Sequence, residues 1–395
     1  MTDASTLPDG ISACLDQDHV RLPFFDDRHR DLADRVRSWL GMADQEIVAA
    51  LDAAPDGAGL RLARLLGRGG WFAALAEGGP DLREVCLLRE AFAYRHDLLD
   101  FAFSIQCLAA APIALWGSEA QKAAFLPGLA SGESIGAFAV SERCAGSDLA
   151  AAVLPARRDG AGFLLDGEKN WVAHAGIADR HLVLARTSDM TGPLGLSMFV
   201  VDAMPGLSVV PVPMVAPRAF GHLRFDACRV EDERLIGQEG AGLAVALDVI
   251  ERYRVSVGAA AVGFARRALH EARRHVRARR TRTGQLSDLP AIRRSLAEMA
   301  VAIETAQLAV ARAAHDIDRG TRRGTLRSGL SKLYATEAAQ RVVDACVQLH
   351  GAAGLVAGST PERLYREVRS LRIYEGASEV QTALIGEAVT NGLFG

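Results

Sequence analysis

Between positions 24 and 135 apolar residues return at helical spacing, as in Leu32, Val36, Trp39 and Leu40, and glycine and proline punctuate one run from the next. That pattern predicts an all-helical first third. From Gly136 the period shortens: 163–165, 181–185, 197–201, 207–212 and 223–225 are short apolar or alternating runs. The turn pairs Asp159-Gly160, Asp166-Gly167 and Pro205-Gly206 separate several of them. A small antiparallel β unit is predicted there. Past Gly242 helical periodicity resumes over roughly 243–281, 290–319, 326–349 and 379–390, the content of a helical bundle. The α, β, α order is that of an α+β protein and excludes a doubly wound dinucleotide fold, in which strands alternate with helices through one parallel sheet. Gly237, Gly240 and Gly242 space as GxxGxG rather than GxGxxG and read best as a turn into the long helix.

Length refines this into parts. A chain of 395 residues has room for two or three compact units, and the changes of period place three: 1–136, 137–240 and 241–395. With 49% hydrophobic and 24% charged residues the composition is that of an ordinary globular protein. A net charge of -3 excludes a generally basic nucleic-acid binder. Of the 45 basic residues all but Lys122, Lys169 and Lys332 are arginine. Six scattered cysteines without CxxC spacing predict buried free thiols and no metal site. The longest apolar stretch, 255–265, is too short to span a bilayer, so no membrane segment is expected. An acidic N-terminus lacks the basic and apolar regions of a secretory signal, so the chain is expected to stay in the cytoplasm.

Four places then stand out against their surroundings. On the helix beginning near 243, the stripe Leu243, Leu247, Ile250, Arg254, Val257, Ala261, Phe264 is interrupted by one guanidinium. Such a group needs an anionic partner, and two readings stay open: a salt bridge to Glu251 or another helix, or a cavity that receives a polar ligand. In Ile373-Tyr374-Glu375-Gly376 a carboxylate lies between an aromatic residue and a glycine, just before a helix. Flanked by apolar bulk it would have a raised pKa, as a base removing a weakly acidic C–H proton requires. The alternative is that Glu375 merely favours the dipole of the helix that follows. The loop 141–148, SERCAGSD, could bring backbone N–H groups and hydroxyls against a ligand, or could be a domain-linking turn capped by Ser147 or Asp148. Trp171 could stack on a planar ligand or belong to the core.

Taken in order, the segments 138–148, 167–171, Arg279 with Thr281, 348–354 and 373–381 make the chain resemble the acyl-CoA dehydrogenase family over nearly its whole length. The resemblance implies an all-α N-terminal domain, a β middle domain and a C-terminal four-helix bundle, with FAD as cofactor. It also implies a homotetramer or homodimer, and electron-transferring flavoprotein or a similar acceptor as partner. It makes Glu375 the catalytic base, which takes the α-proton of an acyl thioester, on coenzyme A or an acyl-carrier protein, while the β-hydrogen leaves as hydride to flavin N5. The product is the trans-2-enoyl thioester. Phe138, Val140 and Ser141, with Trp171, Val172 and Ala173, match the segments beside the isoalloxazine. Arg279, Thr281, Arg282 and the run Gln348, Leu349, His350, Gly351, Ala352 match contacts to the rest of FAD, as do Ala377 and Glu379. Ser147 is shared by the cofactor and the substrate channel, where Glu251, Arg254, Tyr374 and Gly376 join it. Departures accompany these matches: Ala173 stands where the family usually has a threonine near flavin N5, and Arg282, Pro290 and Ala377 also replace common residues. Two alternatives follow from them, an oxygen-using flavoenzyme of the same fold (acyl oxidase or monooxygenase) and a non-catalytic subunit that binds an acyl carrier.

Overall fold

The computed structural model describes residues 11–77, 81–190, 192–282, 284–321 and 324–393. Among the described residues six α-helices come first: α1 (Asp27–Met42), α2 (Asp44–Leu51), α3 (Pro55–Arg68), α4 (Leu82–Arg95), α5 (Asp97–Trp116) and α6 (Glu119–Ser131). Their ends follow local chemistry. Ser118 and Gln121 close a reciprocal capping box at the start of α6, and Gly132 stops that helix in the left-handed conformation.

Eight strands follow: β1 (Gly136–Ala139), β2 (Ala156–Arg158), β3 (Gly162–Ala173), β4 (Arg180–Arg186), β5 (Leu196–Asp202), β6 (Leu207–Pro211), β7 (Phe220–Glu231) and β8 (Leu235–Ile236). They form two four-stranded sheets, ordered β1-β4-β5-β8 and β2-β3-β7-β6. A shared apolar core includes Val183 and Phe199 from one sheet and Phe163, Leu165 and Phe225 from the other. The expectation of an antiparallel unit is corrected among the strands, because β1 pairs with β4 in parallel, Gly136 opposite Arg180. The chain visits β2 and β3 of the other sheet between them, and that long crossover is what permits a parallel pairing.

The last third comprises α7 (Gly242–Ala278), α8 (Pro290–Asp318), α9 (Gly324–His350), α10 (Thr360–Val368) and α11 (Ser378–Thr390). Four match the predicted runs within a few residues. The nine-residue α10 was too short for a periodicity reading, yet it is set by its ends: Ser359 accepts from Glu362 N–H, and Pro361 lies in the first turn.

By contacts the chain divides into two compact units, Met1–Asp44 with Asp81–Asp100 and Glu251–Gly395, and Gln45–Pro80 with Phe101–Ile250. The first has a core built from α4, α7, α8, α9 and α10, centred on Val257, Ala261, Phe264, Val310, Val343 and Leu364. The second holds both sheets. The expectation about membrane-length segments also needs correction: α5 is long and apolar enough to cross a bilayer, although 83% of its most apolar window is buried inside the protein. Scanning for unbroken apolar runs overlooked it because Asp97, Asp100, Ser104 and Gln106 interrupt the helix.

Candidate active site

In the first unit the chain leaves a short 3-10 turn (Arg369–Arg372) and runs through Ile373 to Ala377 into α11. Glu375 has φ +51° and Gly376 φ +92°, so two consecutive residues are left-handed. The glycine suits that region and the glutamate does not. Three cations surround the carboxylate. Lys332 of α9, fully buried, donates from Nζ to the Gly376 carbonyl at 2.7 Å. Arg254 of α7 donates from Nε to the Glu375 carbonyl at 3.0 Å. Arg89 of α4 is paired with Asp100 of α5 through Nε–Oδ1 at 2.8 Å and Nη2–Oδ2 at 2.9 Å, and its Nη1 reaches Ser256 Oγ at 3.0 Å. Oε2 of Glu375 is buried with no hydrogen-bond partner among the described residues. Burial pushes the Glu375 carboxyl above the usual carboxylate range, Arg89, Lys332 and Arg254 pull it back, and Asp100 adds to the rise. Apolar bulk is therefore corrected as the expected setting of this carboxylate. It lies in a buried polar nest in which desolvation outweighs the charges.

Of the two readings of Arg254, the structure answers with a third partner. The guanidinium is 8% exposed and bonds a backbone carbonyl, while its side chain also borders a cavity of about 630 Å³. Glu251, Gly329, Gln381, Leu326 and Leu384 are among the other walls. Gln381 of α11 is 1% exposed and its Nε2 has no hydrogen-bond partner among the described residues. Its amide fills the space beside two glycines, since a Cβ at Gly376 would meet Nε2 at 2.1 Å and one at Gly329 would meet Oε1 at 2.5 Å. Thus Glu251, Arg254, Glu375 and Gly376 are brought together. Half-buried Tyr374 adjoins them and packs on the core of this unit.

Two further groups of expected residues lie in this unit. His350, at the end of α9, sets its ring 4.3 Å from that of His275 and its Nδ1 2.8 Å from the Cys346 carbonyl. Burial, then His350 and Arg279, hold the His275 imidazole below its usual pKa. Gln348, Gly351 and Ala352 are exposed and Leu349 half-buried, with Gly351 at φ +61°. Thr281 bonds Gly284 through both its N–H and its hydroxyl, and Arg282 is exposed. Ala377 is the residue that caps α11, and Glu379 is exposed in its first turn.

The second unit carries the rest. β3 is irregular between Lys169 and Val172, and at that irregularity Trp171 takes φ +60° with its side chain half exposed. Its N–H donates to His222 Nδ1 at 3.2 Å, and the indole meets the His222 ring edge-on at 4.8 Å. Half exposed, the indole is not part of the core. Asn170 N–H donates to the Ser141 carbonyl at 2.9 Å, which draws the loop onto β3. Beneath it, buried Lys169 pairs with Glu142 at 2.7 Å, and Glu142 also accepts from Val153 and Leu154 N–H. Burial holds the Lys169 ammonium down to about 8 against the opposing pull of Glu142. Val140 and Val172 are buried, Phe138 is half-buried on β1, and Ala173 ends β3 opposite Phe220. Ser147 and Asp148 are exposed, and Asp148 accepts from Ala150 N–H at 3.1 Å, the capping role foreseen for that end of the loop.

Sequence reasoning missed Arg89, Asp100, Lys332 and Gln381. Lys332 carried a signal, as a rare lysine within an apolar helical stripe in an arginine-rich chain. Arg89 and Asp100 sit in ordinary helical runs, and no local pattern marks them.

Three family profiles cover the chain: the N-terminal domain of acyl-CoA dehydrogenases over 26–133, the middle domain over 137–228 and the C-terminal domain over 240–390. Mitochondrial isobutyryl-CoA dehydrogenase of Dictyostelium discoideum is 31% identical over 341 residues, 84% of this chain and 81% of that protein. The chain belongs to the acyl-CoA dehydrogenase family. It is an oxidoreductase of the flavin-dependent acyl-CoA dehydrogenase type. Among solved structures it is similar to a glutaryl-CoA dehydrogenase of Mycobacterium smegmatis in complex with FADH2, with a TM-score of 0.83, 26% identity and coverage of 93% and 96% of the two chains. It is also similar to the prolyl acyl carrier protein oxidase AnaB, with a TM-score of 0.83, 26% identity and coverage of 92% and 99%.

Proposed function

We propose that this chain catalyses FAD-dependent α,β-dehydrogenation of an acyl thioester, with Glu375 as the base. The observation that carries the reading is the Glu375 carboxylate itself, buried at Oε2, without a hydrogen-bond partner, its pKa raised by desolvation and its backbone held from two sides. Its free oxygen can accept a proton, and burial makes it a stronger base than a solvated carboxylate. The α C–H bond breaks toward Oε2, the electron pair forms the double bond, and the β-hydrogen departs with its own pair. Bound FAD supplies the acceptor for that hydride. The residues present suit FAD: the half-exposed Trp171 indole offers a ring face to a planar group, and the Ser141 carbonyl is held by the N–H of its chain neighbour Asn170. We assign the cavity bordered by Glu251, Arg254 and Gln381 to the thioester and its pantetheine arm, on coenzyme A or a carrier protein. Electron-transferring flavoprotein as acceptor and a homotetrameric or homodimeric assembly complete the reading, with 1–136, 137–240 and 241–395 as its three domains.

A second reading keeps the base and changes the electron acceptor to dioxygen. Ala173, without a hydroxyl at the end of β3, and the likeness to a carrier-protein oxidase favour it. One experiment addresses both. An acyl-CoA or acyl-carrier substrate should bleach the flavin of the wild-type holoenzyme anaerobically, and Glu375→Gln should lower the rate at least about 1,000-fold with FAD still bound. Undiminished bleaching rejects Glu375 as the base. Admitting air to the reduced wild type then separates the readings: slow reoxidation supports the dehydrogenase and rapid reoxidation the oxidase.

A further inference from the structure

We propose that Lys332 and Arg254 are positioning residues for this reaction: each holds one of two consecutive carbonyls, those of Gly376 and Glu375, and together they fix the base in its left-handed turn. The inference rests on the dehydrogenation reading and deepens it. A glutamate at φ +51° persists only where its surroundings impose that conformation. Here the imposing contacts are charged donors, which bond carbonyls more strongly than neutral ones. Lys332 Nζ lies 2.7 Å from the Gly376 carbonyl and Arg254 Nε 3.0 Å from that of Glu375. With both carbonyls taken, the turn cannot rotate either peptide without breaking a buried ionic hydrogen bond, and Oε2 is left over as the unbonded atom. A fully buried ammonium is costly to keep, so Lys332 is explained by what it does for its neighbours.

The charges on every side give the clamp a pH signature. Glu375 is faced by Arg89 from α4, Asp100 from α5, Arg254 from α7 and Lys332 from α9, with Tyr374 preceding it on its own turn. Lys332 is faced by Glu375, Arg254, Glu337 and Glu379, and burial brings its ammonium down to about 8. The base works deprotonated, so the rate falls as pH drops through its pKa. Lys332 holds that pKa down, and removing its charge moves the acid limb of the rate profile to higher pH.

The test uses purified holoenzyme and the acyl thioester that reduces wild-type flavin fastest. Lys332→Met should slow anaerobic flavin reduction about tenfold or more, change the substrate concentration for half-maximal rate less than about threefold, and shift the acid limb up by about one pH unit. Lys332→Gln keeps a donor for Gly376 but no charge, so it should keep wild-type FAD content and melting temperature and still show the shift. It carries the test if Lys332→Met does not fold. Lys332→Arg should return the limb toward its wild-type position. An acid limb that stays at the wild-type position in Lys332→Gln, with the wild type active, overturns the inference alone. Failure of every thioester to reduce wild-type flavin overturns the dehydrogenation reading, and the clamp falls with it.

Discussion

Glu375 and Gly376 show how one residue's freedom serves its neighbour. Glycine at φ +92° lets the turn close over the Gln381 amide, and a Cβ there would meet Nε2 at 2.1 Å, so any side chain would have to displace that amide. Gly376→Ala should therefore twist the turn. The left-handed penalty alone is about 1–2 kcal/mol, and the clash with Gln381 adds to it. Flavin reduction should fall at least about tenfold with FAD content retained, read by stopped-flow absorbance; an unchanged rate would show that the turn tolerates a side chain. At this scale the sequence was informative, since carboxylate, glycine and helix start are contiguous from 373 to 381. What it could not reveal was the setting of the carboxylate. Arg89, Asp100, Arg254 and Lys332 come from four helices, and only folding makes them neighbours.

At the scale of elements, the Ser141 loop is held by a buried ion pair as well as by its own turn, in which Glu142 and Ala145 exchange backbone hydrogen bonds. Glu142 accepts from Lys169 Nζ and from two backbone N–H groups, and Asn170 N–H holds the Ser141 carbonyl. Lys169→Met would leave the Glu142 carboxylate buried without its cation, a loss of about 3–5 kcal/mol. We expect a lower chemical-denaturation midpoint and weaker FAD retention on gel filtration. Wild-type values for both would mean that the loop is anchored elsewhere. The start of α8 was legible because its signal is local: Pro290 opens the helix. The parallel pairing of β1 with β4 was not, because strand direction depends on the route of the connection and not on the alternation of side chains.

Across the whole molecule, acid stability follows from burial. His174 is fully buried at φ +60°, its Nδ1 3.2 Å from the Gly136 carbonyl, and burial pushes its imidazole down to about 4. A folded-state pKa below the unfolded value of about 6.5 means that the unfolded chain binds the extra proton first, so stability is lost as pH falls from 6.5 toward 4. The full contribution is roughly 3 kcal/mol. His174→Asn, which tolerates the left-handed backbone and does not titrate, should flatten the fall of melting temperature across that window. An equally steep fall would assign the acid lability to other groups, such as His19, also held at about 4.

From the residues alone came the order of helices and strands and the contiguous motifs, with the role of the carboxylate at 375 left open between two readings, because periodicity and short-range spacing act within a few residues of chain. The tertiary structure decided the rest. Which cations surround that carboxylate, which carbonyls they hold, and why a long apolar helix such as α5 lies inside the protein all depend on side chains far apart in sequence that meet only when the core closes. Burial and Coulomb interaction act through space, and local pattern does not encode that distance.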